Sequence, residues 1–130
     1  MKVSPVFYKL FMDNHFGKSY PLTANDLEVV RRKMLSNLRE LKPARFKNMI
    51  GASPYCESPF GNREFFLINT DPYYAYEVTL EMHWRSGTDE GVEYITQYIE
   101  AGRKISLGCE QTSTFPPTVY GWKVVGETRK

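Results

Sequence analysis

Alternation is the strongest pattern in the chain. In Tyr74–Trp84 (YAYEVTLEMHW), Tyr74, Tyr76, Val78, Leu80, Met82 and Trp84 fall on one side, with Glu77, Thr79, Glu81 and His83 on the other. That pattern predicts a half-buried β-strand. A second alternation opens the stretch KISLGCEQTSTFPP, where Ile105, Leu107 and Cys109 oppose Ser106, Gly108 and Glu110. At the next apolar position the chain supplies Gln111, followed by Thr112, Ser113 and Thr114, so this strand ends by turning polar. Residues 5–12 (PVFYKLFM) are apolar on both sides and predict a strand covered on both faces. RFKNMIGAS (45–53) and TVYGWKVV (118–125) predict two further strands, and FFLIN (65–69) a short strand arm.

Two segments instead read with helical spacing. Leu27, Val30, Met34, Leu38 and Leu41 recur three and four residues apart. Asn25 with Glu28 forms a capping-box pattern ahead of them, and Pro43 ends the helix. Arg31, Arg32, Lys33 and Arg39 occupy the other sides and read as a solvated face. A second helix is predicted from Thr88 or Asp89 to about Ala101, with Val92, Ile95 and Ile99 as its stripe. Asp89 and Glu90 suit its first turn and Gly102 its C′ position. Residues 13–23 read as a polar connection.

The resulting order is strand, helix, strand, strand, helix, strand. That order predicts an α+β, ferredoxin-like βαββαβ sandwich, with both helices on one face of an antiparallel sheet. Residues 1–130 form a single domain in this reading. The other sheet face has no cover within the chain, which predicts self-association.

Composition narrows the chemistry. Aromatic residues make up 15% of the chain, enough to place rings at an interface or ligand site as well as in the core. A net charge of +2 gives no footprint for nucleic acid. Tyr74 and Tyr76 resemble an RNA-binding aromatic platform, but the basic-Gly-aromatic run of that motif is missing from YAYEVTLEM. The two cysteines, Cys56 and Cys109, read as free thiols of a reduced cytoplasmic protein, with Cys109 in the core. No signal peptide and no membrane-spanning run is visible. His15 and His83 lack metal-ligand spacing, so no metal or other cofactor is expected, and His83 reads as a surface residue.

What remains is a polar cluster from two places: the loop GASPYCESPFGNRE, ending in Arg63-Glu64, and the strand end EQTST. In a ferredoxin-like sheet those two segments can converge, either within a subunit or across an oligomer interface. Three features now carry a resemblance: Gly51 ahead of the Arg63-Glu64 pair, Gln111-Thr112-Ser113-Thr114 closing a strand, and an element order beginning with VFYKLF. Together they resemble the phage S-adenosylmethionine lyases, small anti-restriction proteins long described as hydrolases, over nearly the whole chain. One departure is that Ile50 stands where a family member has tyrosine before the Gly.

The resemblance implies PII-like trimeric subunits with substrate at their interfaces. It also implies cleavage of S-adenosylmethionine to methylthioadenosine and homoserine lactone by the substrate's own carboxylate. Glu64 and Gln111 take the positions of the essential acid and amide. Arg63, Thr112 and Thr114 would contact substrate, and Tyr55 would stand in for the missing tyrosine. The expected setting is the cytoplasm of an infected host cell, with S-adenosylmethionine as the small-molecule partner and no membrane or nucleic acid involved. Two other classes stay open: a non-enzymatic PII-like ligand sensor, and a phage inhibitor acting by protein contact. On the bland reading QTST is an ordinary strand exit whose hydroxyls serve turn amides, and Glu64 a solvated loop acid.

Overall fold

The residues expected to alternate do form strands, and they belong to a mostly β protein. The computed structural model describes residues 17–39, 46–56, 63–112 and 116–130, with residues 37–39 as backbone only. The predicted strand at 5–12 therefore lies outside the described residues, as does Thr114. The described elements are β1 (Ser19–Pro21), α1 (Ala24–Arg39), β2 (Asn48–Ser53), β3 (Glu64–Asn69), β4 (Tyr76–Ser86), β5 (Asp89–Ile99), β6 (Arg103–Cys109) and β7 (Thr118–Arg129). They form a four-stranded antiparallel sheet ordered β1-β6-β3-β2 and a three-stranded one ordered β5-β4-β7.

This overturns the ferredoxin-like βαββαβ expectation, and the decisive segment is 89–99. The predicted second helix is strand β5, paired with β4 from Tyr76↔Ile99 to Ser86↔Asp89. Gly87, at the first position of the two-residue turn between them, has φ 63°, the left-handed conformation that primed hairpin turns demand. Val92, Ile95 and Ile99 do not share a face: Ile95 and Ile99 are buried, whereas Val92 points outward with Tyr94 and Tyr98. Gly102, expected as a helix C′ residue, instead turns the chain from β5 into β6 with φ 63°. The polar connection expected at 13–23 also contains the short edge strand β1.

The sheet face expected to lie bare is covered by the second sheet. Leu67, Ile105 and Leu107 of one sheet meet Tyr76, Val78, Leu80, Ile95 and Ile99 of the other, with Ile50, Phe65, Trp122 and Val124 packed around them. That removes the physical motive for self-association drawn from an open apolar face. The opposite face of the larger sheet carries α1 through a smaller cluster of Val30, Phe66 and Ile68, flanked by Leu22 and Met49. Leu27 and Met34, expected in the helix stripe, are more than two-fifths exposed, so α1 is lightly seated. Its cap lies two residues before the predicted Asn25. The Thr23 N–H donates to Asp26 Oδ2 (2.9 Å), and the Asp26 N–H donates back to Thr23 Oγ1 (3.2 Å).

A buried polar staple closes the end of the sandwich. Asn69, fully buried, donates through Nδ2 to the carbonyls of Tyr74 (2.9 Å) and Glu100 (3.1 Å). Its Oδ1 accepts from the Asp71 N–H at 3.0 Å. Asp71 in turn accepts from the Tyr73 N–H and from the Tyr76 hydroxyl (2.7 Å). The bond to Asp71, with burial second, pushes the Tyr76 phenol up to about 12. A phenol raised above its unfolded value of about 10 stabilises the fold fully below that pH and loses the contribution as pH rises through the folded value. Stability should therefore fall from about pH 10 towards the folded value of about 12. Tyr76→Phe should be less stable at neutral pH and show a flatter profile over that window. Urea titrations at stepped pH check this, and parallel alkaline profiles in the two proteins would count against it.

Candidate functional site

The β3–β6 ladder brings the two motif segments together. Its register sets Glu64 opposite Cys109 and Phe65 opposite Gly108, then skips Leu107 to set Phe66 opposite Ser106. Leu107 is the extra residue of a β-bulge, and Gly108 beside it has φ 86°. The bulge changes the phase of the alternation. Leu107 points into the core, but Cys109, expected beside it, comes out on the face of Glu64 because directly opposed residues share a face.

On that face Cys109 forms a disulfide with Cys56. The expectation of free thiols is thereby corrected: two cysteines 53 positions apart meet because the β2–β3 and β3–β6 pairings fold one back onto the other. The bond ties the segment after β2, including the 79% exposed Tyr55, to the end of β6.

Glu64 is half-buried and held from one side. The Ser106 hydroxyl donates to Glu64 Oε2 at 2.6 Å and itself accepts from the Gly108 N–H at 3.2 Å. Ser106 is fully buried, so its single proton is committed to the carboxylate. Arg63, the other half of the pair, is ion-paired through Nε to Glu110 Oε2, and its guanidinium lies 5.3 Å above the Phe65 ring. The Glu110 N–H donates to the Arg63 carbonyl at 2.7 Å, which closes the ladder.

Beyond Glu110 the chain changes sheets. The Glu110 carbonyl accepts from the Tyr120 N–H (2.7 Å), Gln111 bridges to Val119, and the Thr112 N–H donates to the Thr118 carbonyl (2.9 Å). The Thr112 hydroxyl accepts from the Thr118 N–H, also at 2.9 Å. The polar exit of this strand is thus partly structural: Thr112 already spends its side chain on the crossing to β7. Gln111 is exposed. Gly51 has a packing reason of its own, since a Cβ there would lie 2.5 Å from Ile68 Cδ1.

The face carrying Glu64 and Ser106 continues into a cleft of about 180 Å³ under the start of α1, lined among others by Asp26, Ser53, Phe66 and Lys104. Sequence reasoning missed these residues because only the register places Ser53 beside Glu64 and Lys104 beside Ile68. The Lys104 ammonium sits 4.8 Å above the Phe66 ring and 2.9 Å from Asp26 Oδ2, so the acid and the ring face of this cleft are already engaged by the protein's own cation. Burial pushes the Asp26 carboxyl up, but hydrogen bonds from Thr23 and Lys104 more than offset it and hold the group below the usual range.

His83 contacts Glu81 on the outer face of β4, in the sheet that does not contain Glu64. Among the described residues no group of three or more His, Cys, Asp or Glu is arranged to hold a metal ion, and no helix is long and apolar enough to cross a membrane. No protein-family model, curated protein or solved structure matches the chain.

Proposed function

We infer that this chain cleaves S-adenosylmethionine into methylthioadenosine and homoserine lactone. The observation supporting the reading is the meeting of Arg63-Glu64 with Cys109-Glu110 at one end of the β3–β6 ladder, one residue before Gln111, although 47 positions separate Arg63 from Glu110 in sequence. The reading no longer draws on a PII-like fold. It rests on the motif residues and on their convergence within one chain.

The reaction asks for alignment more than for activation. A carboxylate oxygen of the substrate forms a bond to its own γ-carbon, the Cγ–S bond breaks, and the electron pair leaves on a sulfur that becomes neutral. Holding oxygen, carbon and sulfur in line contributes roughly 7–11 kcal/mol at best. Glu64 would take the α-ammonium on the carboxylate oxygen that Ser106 does not hold, and so orient the attacking carboxylate. Gln111 would bind a polar edge of the substrate. Arg63, Tyr55 and Thr114 are secondary contacts by resemblance, whereas Thr112 is engaged in the crossing to β7.

By the same resemblance the working unit is a homotrimer in the cytoplasm of an infected host cell, acting against restriction by depleting S-adenosylmethionine. The disulfide bears on that setting, because cytoplasmic thiols are held reduced. Incubation with S-adenosylmethionine followed by chromatography should show methylthioadenosine accumulating over many turnovers. Intact S-adenosylmethionine bound to the protein indicates a sensor instead, and indifference to it an inhibitor acting by contact. Light scattering should give three times the monomer mass, and a fully active monomer would sink the trimer.

A further inference from the structure

A second cleft, of about 310 Å³, lies along the open edge of β2, with α1 on one side and β7 on the other. Val30, Met34, Phe46, Met49, Ile50 and Trp122 give it apolar and aromatic walls. Its lining includes three lysines, Lys33, Lys47 and Lys123, and no acid. One further residue does not fit an ordinary surface groove. Asn48 is 3% exposed, and among the described residues neither its Nδ2 nor its Oδ1 has a hydrogen-bond partner.

A buried amide with both its donor and its acceptor unmet is rare in a folded protein and calls for a cause. Its backbone is not the reason, since the Asn48 N–H donates to Glu127 Oε1 at 3.2 Å, outside the cleft lining. An amide offers one acceptor and one donor side by side, the pairing partner of a heterocycle edge carrying the complementary pair. The apolar and aromatic lining suits the ring, and the three lysines, all at exposed positions, suit an anionic tail. The volume is at the lower end of ligand pockets, roughly 300–1,000 Å³, which fits one nucleotide and not two.

We propose that this cleft binds a purine mononucleotide, its base paired to the Asn48 amide and its phosphate held by Lys33, Lys47 and Lys123. The site is separate from Glu64: Asn48 pairs with Asn69 at one end of the β2–β3 ladder, whereas Glu64 pairs with Ser53 at the other. It therefore stands whether or not the chain cleaves S-adenosylmethionine.

The test is calorimetric titration of the whole protein with AMP and with GMP, beside adenosine and inorganic phosphate. At least one nucleotide should bind saturably, one per chain, with affinity falling as salt rises. Adenosine and phosphate alone should bind at least about tenfold more weakly, because each keeps only half of the contacts. Asn48→Leu keeps the branched outline and the number of heavy atoms but is bulkier, and it removes the unmet amide, so nucleotide affinity should fall roughly tenfold to a hundredfold whatever the added bulk does to the melting temperature. Lys33→Gln and Lys123→Gln, both at exposed positions, should weaken the nucleotide without weakening adenosine. These two decide the matter if Asn48→Leu does not fold. Absence of saturable binding of both nucleotides overturns the proposal, as does wild-type affinity in the variants.

Discussion

Glu64→Gln should lower turnover of S-adenosylmethionine by tenfold to a hundredfold or more while leaving the fold intact. The substitution keeps the shape and an oxygen to accept the Ser106 hydroxyl, so the 2.6 Å contact inside the protein survives. What it removes is the charge that would face the substrate ammonium. A hydrogen bond to a charged group is worth roughly 1.5–3 kcal/mol, about tenfold to a hundredfold in binding. A substrate held less firmly also presents its carboxylate out of line, and turnover falls further for that reason. Gln111→Ala should weaken activity in the same direction, and its exposed position predicts no loss of stability. The measurement is turnover beside thermal melting for both variants. Stable proteins with near wild-type turnover would return Glu64 to the role of a half-buried acid tied to a serine.

The second large effect concerns stability. Reducing the Cys56–Cys109 bond, or replacing both residues by alanine, should lower unfolding free energy by about 4 kcal/mol, the chain-entropy value for a loop of this length. The loop closes across 53 positions and contains all of β3, β4 and β5, so the unfolded chain gains much freedom when it opens. Urea unfolding with and without reductant measures the difference. Equal midpoints, or two titratable thiols in protein never exposed to reductant, would show that the bond is not part of the stable state.

Legibility followed the range of the information each element needs. β4 was readable because Val78, Leu80 and Met82 are all fully buried on one face, as the alternation requires. β2, β3, β6 and β7 were also legible as strands, although successive residues of β3 and β6 are buried on both faces. β5 was not. Ile95 and Ile99 are four apart, which suits one helix face and also one strand face, and Gln97 between them hides the period of two. The tyrosines and Thr96 of that segment, with Gly87 before it, were the competing strand signal. That error changed the fold class, because it replaced half of a hairpin by a helix and hid the second sheet. The site shows the same division. The meeting of Arg63-Glu64 with the end of β6 was expected from a ferredoxin-like sheet, and it occurs in a different one, because β3 and β6 pair directly. The Ser106 contact, the phase change at Leu107 and the disulfide depend on cross-strand register, which no local pattern carries. Asn48 gave no signal, since one asparagine in RFKNMIGAS looks like any other until its burial is known.

Strand β5 has a consequence for handling the protein. It is the outer strand of its sheet, eleven residues long, and its ladder with β4 runs without a shift. It contains no lysine and no proline, the usual guards of such an edge, and Tyr94 and Tyr98 stand outward from it at 66% and 52% exposure. Among the described strands none lies on its free side. A net charge of +2 supplies little mutual repulsion between molecules. Its acids, Asp89, Glu90 and Glu93, all lie in its first half, so deposits from concentrated solutions should grow by adding strands along its Tyr94–Ile99 half.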